Sequence, residues 1–220
     1  MVHHIPGPSG RLEALVDDPS ALCTTGTPGA SDPLRPPRAV VVIAHPHPLH
    51  GGTMHTKIVF QVAKAFCRLG CAVLRFNFRG VGLSDGTFGE GAGEIEDFNA
   101  AVDFATARYP GIEAWAAGAS FGSWVAMTAG AKDERIKTLI GLALPANLYD
   151  FSAAARSPKP KFVIHGEHDA ICPLRAVRAM YATAVEPKEL VVIEAANHLF
   201  DGRLHEVAEA IEDLLAPASS

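Results

Sequence analysis

The chain has no surplus of positive charge: 19 Lys and Arg stand against 24 Asp and Glu, a net charge of −5 with no run of one sign. A nucleic-acid binder needs a basic stripe to meet phosphates, so that class of partner is excluded. Long apolar runs are missing as well. The longest, 39–44 and 139–146, fall far short of the ~18 residues of a membrane span, and no membrane partner is expected. The first residues hold neither a Lys/Arg cluster nor the apolar stretch of a secretory signal, so a cytoplasmic location is the expectation. Cysteine is scarce. Cys23, Cys67, Cys71 and Cys172 make no disulfide framework in a chain of 220 residues, and Cys67 and Cys71 are expected to pack as small hydrophobes.

Hydrophobic residues, by contrast, reach 48% while charged ones make up 20%, below the usual ~25%. A chain this long and apolar buries a large core, which excludes global disorder. The apolar surplus suits strands covered on both faces. No repeat and no internal boundary interrupts the pattern, so 1–220 is read as one domain: an N-terminal hairpin and loop over 1–38 and a core over 39–215. The hairpin is placed at 11–16 and 21–25, with Asp17-Asp18-Pro19-Ser20 as its turn. Four prolines make 26–38 a loop. Strands are expected at 39–44, 71–78, 113–117, 136–144, 161–165 and 190–194. Helices are expected at 54–69, 94–108, 121–130, 174–184 and 204–215. Strands and helices alternating at these lengths imply right-handed βαβ units, an α/β fold with a mostly parallel central sheet and helices on both faces.

The sharpest motif is Gly118-Ala119-Ser120-Phe121-Gly122, a G-x-S-x-G between an expected strand and an expected helix. A strand-to-helix turn this tight holds the serine in strained backbone and presents its hydroxyl at the carboxyl edge of the sheet, with glycines giving the room. The bland alternative is an ordinary glycine-rich turn with an N-capping serine. Two further segments weigh against it. Asp169 follows the expected strand 161–165, and His198 follows the strand 190–194. A serine hydroxyl needs a base to take its proton and an acid to orient that base. The chain order Ser, Asp, His suits this architecture, and all three follow strands at the edge where ligands gather. Glu167 rivals Asp169, and His168 and His205 rival His198; the shorter acid and the loop position favour Asp169 and His198. Asp150 and Asp201 follow no strand closely enough. Together these residues point to nucleophilic acyl chemistry.

A second feature is His45-Pro46-His47-Pro48-Leu49-His50-Gly51-Gly52-Thr53-Met54 directly after the strand 39–44. With Arg75-Phe76-Asn77-Phe78-Arg79-Gly80-Val81-Gly82-Leu83-Ser84 and Asn197-His198-Leu199-Phe200, it resembles the small, capless bacterial members of the α/β-hydrolase superfamily, of dienelactone-hydrolase type, from about 39 to 215. That resemblance implies an α/β-hydrolase fold without a separate lid domain, no cofactor, and a serine carboxylester hydrolase; short-chain or small aromatic esters are expected as its substrates from the missing lid alone. Catalysis would run through Ser120, His198 and Asp169. It further implies an oxyanion hole built from the backbone amides of Phe121 and His47; Pro46 has no N–H to give. Arg79 and Asp85 read as loop braces.

Only 145–160 separate the strand 136–144 from the next, too few residues for a lid. An open site favours hydrolysis over transfer to another acceptor. Leu49, Leu148, Tyr149, Phe151, Cys172 and Leu199 are candidates for the pocket rim. The rival functions are thioester or amide hydrolysis or acyl transfer by the same triad, a non-catalytic binding module, and a metal-dependent hydrolase using His45, His47, His50 and His55. The last lacks an H-E-x-x-H or Cys pair, and Pro46 and Pro48 are expected to hold that loop extended; no metal is assigned. The oligomeric state is not readable, a homodimer being one option.

Overall fold

The computed structural model describes residues 2–19 and 36–216. Its single sheet is built from β1 (Val2–Gly7), β2 (Gly10–Asp17), β3 (Val40–Ala44), β4 (Ala72–Phe76), β5 (Ala114–Ala119), β6 (Ile136–Leu142), β7 (Lys161–Gly166) and β8 (Lys188–Ile193). They lie in the order β1-β2-β4-β3-β5-β6-β7-β8. β1 and β2 pair antiparallel with each other and β2 antiparallel with β4, while every other pairing is parallel. The helices are α1 (Lys57–Arg68), α2 (Ala92–Arg108), α3 (Phe121–Lys132), α4 (Ser152–Arg156), α5 (Leu174–Thr183) and α6 (Leu204–Leu215).

The period of two along each strand divides the core into two layers. Val40, Val42 and Ala44 of β3 face one side with Phe98 of α2, Val125 of α3 and Val177 of α5. Val41 and Ile43 face the other with Ile58 and Phe66 of α1 and Ile211 of α6. Because β3, β4 and β5 are buried along their whole length, they read as continuous apolar runs, as strands covered on both faces must. Each large side chain so buried contributes about 1.5–3 kcal/mol. Helix ends follow local chemistry. Gly70 closes α1 at φ 79°, its amide bonding the Cys67 carbonyl and that of Cys71 the Phe66 carbonyl, a Schellman stop. Glu94 opens α2 by accepting from the amides of Gly89 and Gly91.

Three expectations need correction. The hairpin pairs Val2–Gly7 with Gly10–Asp17 and turns at Pro8 and Ser9; the stretch 21–25 lies outside the described residues. Pro6 hid the first strand from a propensity reading. It is tolerated because β1 is an edge strand, where a missing N–H breaks no ladder. The short helix α4 was not expected, and Pro48 opens a 3-10 turn over Pro48–His50 instead of holding the loop extended.

The loop braces are ion pairs. Arg79 holds the buried Asp97 through Nε and Nη2, and Asp85 takes Arg11 from β2. Glu13 of β2 accepts from Asn77 Nδ2 and the Leu83 amide, while Asn77 Oδ1 accepts from the Met54 amide. Through these contacts the hairpin is tied to the loops that follow β3 and β4. No helix among the described residues is long and apolar enough to cross a membrane.

Candidate active site

The parallel sheet delivers the ends of β3, β5, β6, β7 and β8 to one edge. At the end of β5 the chain turns straight into α3, and Ser120 at the turn has φ 53° and ψ −124°. That region of backbone space costs a non-glycine residue about 1–3 kcal/mol and persists only where its surroundings impose it. Here the Ser120 amide donates to the Leu142 carbonyl at 2.8 Å. The Ser120 carbonyl accepts from the Ser123 amide at 2.8 Å and the Ser123 hydroxyl at 2.6 Å. Both glycines of the motif are needed for close approach: a Cβ on Gly118 would stand 2.1 Å from the Gly122 carbonyl oxygen, and one on Gly122 would stand 2.4 Å from those of Ala44 and His45.

The structure brings the three candidates together. With His198 Nδ1–H donated to Asp169 Oδ2 at 2.7 Å, Nε2 is left to accept the Ser120 hydroxyl at 2.8 Å. The other carboxylate oxygen, Oδ1, accepts from the amides of Ile171 and Cys172 at 2.9 and 2.8 Å. Burial pushes the Asp169 carboxyl up, but the His198 hydrogen bond, the Cys172 amide and the His198 and His165 rings outweigh it and hold it below the ordinary carboxylate value. The rivals are engaged elsewhere. Glu167 accepts from the Ala195 amide, Asp201 from Asn197 Nδ2, and Asp150 from the Ser152 amide and hydroxyl. His205 pairs with Glu209 on the surface of α6, and the His168 ring is exposed beside Glu167.

The loop after β3 packs against the first turn of α3, with the His47 and Phe121 rings 4.8 Å apart. Neither the His47 nor the Phe121 amide donates to an acceptor among the described residues; Phe121, as the first residue of α3, has no intrahelical partner for its N–H. His45 is the structural member of the histidine group. Its Nδ1–H donates to the Pro46 carbonyl at 2.6 Å and its Nε2 accepts the Phe78 amide at 3.1 Å. Burial pushes its pKa down to about 4, so both nitrogens of a neutral ring are occupied and neither is free to ligate. Among the described residues the one His/Cys/acid group with metal-like spacing is Asp169, Cys172 and His198, whose ligand atoms lie within 4.8 Å of one another. Two of these are bonded to each other, and burial pushes the Cys172 thiol up to about 12, which keeps it protonated and weakly nucleophilic.

The rim expectation divides. Leu49, Leu148 and Leu199 are exposed on the loops after β3, β6 and β8, and Tyr149 is half-buried. Phe151 is buried in the core beside α4, and the Cys172 side chain is buried too; an aromatic ring just ahead of a short helix is better placed for packing than for lining a mouth. Sequence reasoning named Tyr149 but missed the aromatic group it joins around Phe121: Phe88, Trp124 and Tyr149 lie 6.0, 5.8 and 5.7 Å from that ring, with Trp124 and Tyr149 stacked at 4.7 Å. Only the position of Trp124, one helical turn past Ser120, signalled it.

The family model described as "Serine aminopeptidase, S33" (Hydrolase_4) matches residues 35–158. The chain belongs to this α/β-hydrolase family. The uncharacterized protein RP471 of Rickettsia prowazekii (strain Madrid E) is 32% identical over 223 residues, 97% of this chain and 88% of the relative. Among solved structures, an alpha-beta serine hydrolase homologue from Coxiella burnetii superposes with a TM-score of 0.87 at 35% identity, covering 98% of this chain and 97% of that one. XC6422 from Xanthomonas campestris, described as an a/b serine hydrolase without lid, has a TM-score of 0.87 at 31% identity, covering 100% and 96%. The present hydrolase fold agrees: only residues 143–160, with the short α4, separate β6 from β7.

Proposed function

We propose that the protein is a serine carboxylester hydrolase for short-chain or small aromatic esters. The observation that carries this reading is the unbroken chain from Ser120 Oγ through His198 to Asp169, at 2.8 and 2.7 Å. In this mechanism Ser120 Oγ attacks the ester carbonyl carbon while His198 Nε2 takes the hydroxyl proton, and Asp169 stabilises the imidazolium. The carbonyl oxygen, now an oxyanion, is received by the amides of Phe121 and His47. Collapse breaks the bond to the alcohol, whose oxygen takes the proton from His198. Water then enters, gives a proton to His198 and attacks the acyl-enzyme; the acid departs and Ser120 recovers its proton. The lidless edge leaves water free to reach the acyl-enzyme, which favours hydrolysis over transfer. A small-molecule ester is the partner this chemistry requires.

Because the matching family is described as an aminopeptidase, amide cleavage by the same residues is the second reading. The test sets wild type beside Ser120→Ala on p-nitrophenyl butyrate, a p-nitroanilide and an acyl thioester. A rapid ester reaction that falls by roughly 10³-fold or more in the variant is the expected outcome. Equal rates for the two proteins would remove Ser120 from the mechanism. Faster anilide or thioester turnover would transfer the mechanism to that substrate class.

A further inference from the structure

His165 is a fully buried histidine that the mechanism above does not use. It lies at the end of β7, four residues before Asp169, beneath the turn that carries the acid. Its Nε2 is 2.7 Å from the Cys172 carbonyl oxygen and 3.5 Å from Asp169 Oδ2. A carbonyl only accepts, so the proton is on Nε2, and Nδ1 is left as a buried acceptor with no partner among the described residues. An orphaned acceptor is a cost that an apolar side chain of similar size avoids. Packing alone therefore does not account for a histidine here; the N–H contact does.

We propose that His165 is a positioning residue for Asp169: by anchoring the Cys172 carbonyl it fixes the turn whose Ile171 and Cys172 amides grip Oδ1, leaving Oδ2 aimed at His198. The Cys172 residue is the link, since its carbonyl takes the His165 proton while its own amide holds the acid. A second tie runs to the turn that carries His198. The Glu167 amide donates to the Ile193 carbonyl, the His168 amide to that of Ala196, and Glu167 accepts from the Ala195 amide. A Cβ on Gly166 would stand 2.5 Å from the Ala196 carbonyl oxygen. The two turns are therefore in register, and His165 sets the height of one against the other. The ionisable groups around the ring are Asp169 and Cys172 on its own turn and His198 on the next. Burial lowers the His165 pKa, which keeps the ring neutral and a donor through Nε2 alone.

This inference rests on the proposed hydrolase reading, and its test separates the two. His165→Leu removes the donor, His165→Gln returns an N–H at a similar reach, and His165→Asn is too short to meet the Cys172 carbonyl. On p-nitrophenyl butyrate the Leu variant is expected to lose roughly 10- to 100-fold in kcat, the scale of a small misplacement of a catalytic group, with KM within about twofold. The Gln variant is expected to recover most of kcat. A folded Leu variant with wild-type kcat, or one whose loss lies in KM and not in kcat, overturns the proposal. Should the Leu variant not fold, the Gln and Asn variants decide: Gln active and Asn weak supports positioning, and equal activity overturns it. An inactive Ser120→Ala beside a fully active His165→Leu would sink this inference and leave the esterase reading standing.

Discussion

Two histidines, His45 and His165, are buried as neutral rings, and each pins a turn that feeds the site. His45 makes the cleaner test because its pKa, pushed down to about 4 by burial, lies well below the ordinary value of 6.5. The unfolded chain takes up a proton in that window that the native chain refuses. Stability is therefore full above about pH 6.5 and declines as pH falls toward 4. The shift corresponds to about 3 kcal/mol, a large share of a typical folding free energy of ~5–15 kcal/mol. His45→Gln keeps an acceptor for the Phe78 amide but does not titrate. Urea unfolding at pH 7, 5.5 and 4.5 is expected to show a shallower decline for the variant, and parallel declines would refute the assignment.

At the scale of elements, the site depends on how closely α3 approaches β3. Gly122 lets the first turn of α3 lie against the Ala44 and His45 carbonyls, and its missing Cβ would otherwise stand 2.4 Å from both oxygens. Gly122→Ala is expected to push the helix off the strand at a cost of about 1–3 kcal/mol. It would also separate the Phe121 and His47 amides and lower kcat. The urea midpoint and the rate on p-nitrophenyl butyrate report the two effects; a variant normal in both would show that the approach is dispensable. The N-terminal hairpin works at the same scale. Glu13 and Arg11 from β2 reach Asn77, Leu83 and Asp85, so an antiparallel addition far from Ser120 in sequence holds the loops after β4, and through Asn77 the turn at Met54.

For the whole molecule, the lidless edge has a kinetic consequence. With only residues 143–160 between β6 and β7, that connection holds no domain that has to open before a substrate reaches Ser120. Rates on a series of p-nitrophenyl esters are expected to rise hyperbolically with monomeric substrate and to show no jump where the longer esters begin to aggregate. A sharp rise at that concentration would point to a hidden closure. The alternation of apolar runs and amphipathic stretches and the strand-turn-helix setting of Ser120 were legible in the sequence because each is a local property of the chain. The same holds for Asp169 and His198, since a polar residue just past a strand falls on the carboxyl edge of a parallel sheet whichever way the strands are ordered. What local chemistry did not reveal were the surroundings that the fold gives each segment. The pairing of Val2–Gly7 as an edge strand, the burial of Phe151, the engagement of Glu167 with Ala195 and the place of His165 beneath Asp169 were decided by the tertiary structure. Each depends on what the folded sheet sets around a residue, which the order of residues does not state even where, as for His165 and Asp169, the two stand four apart.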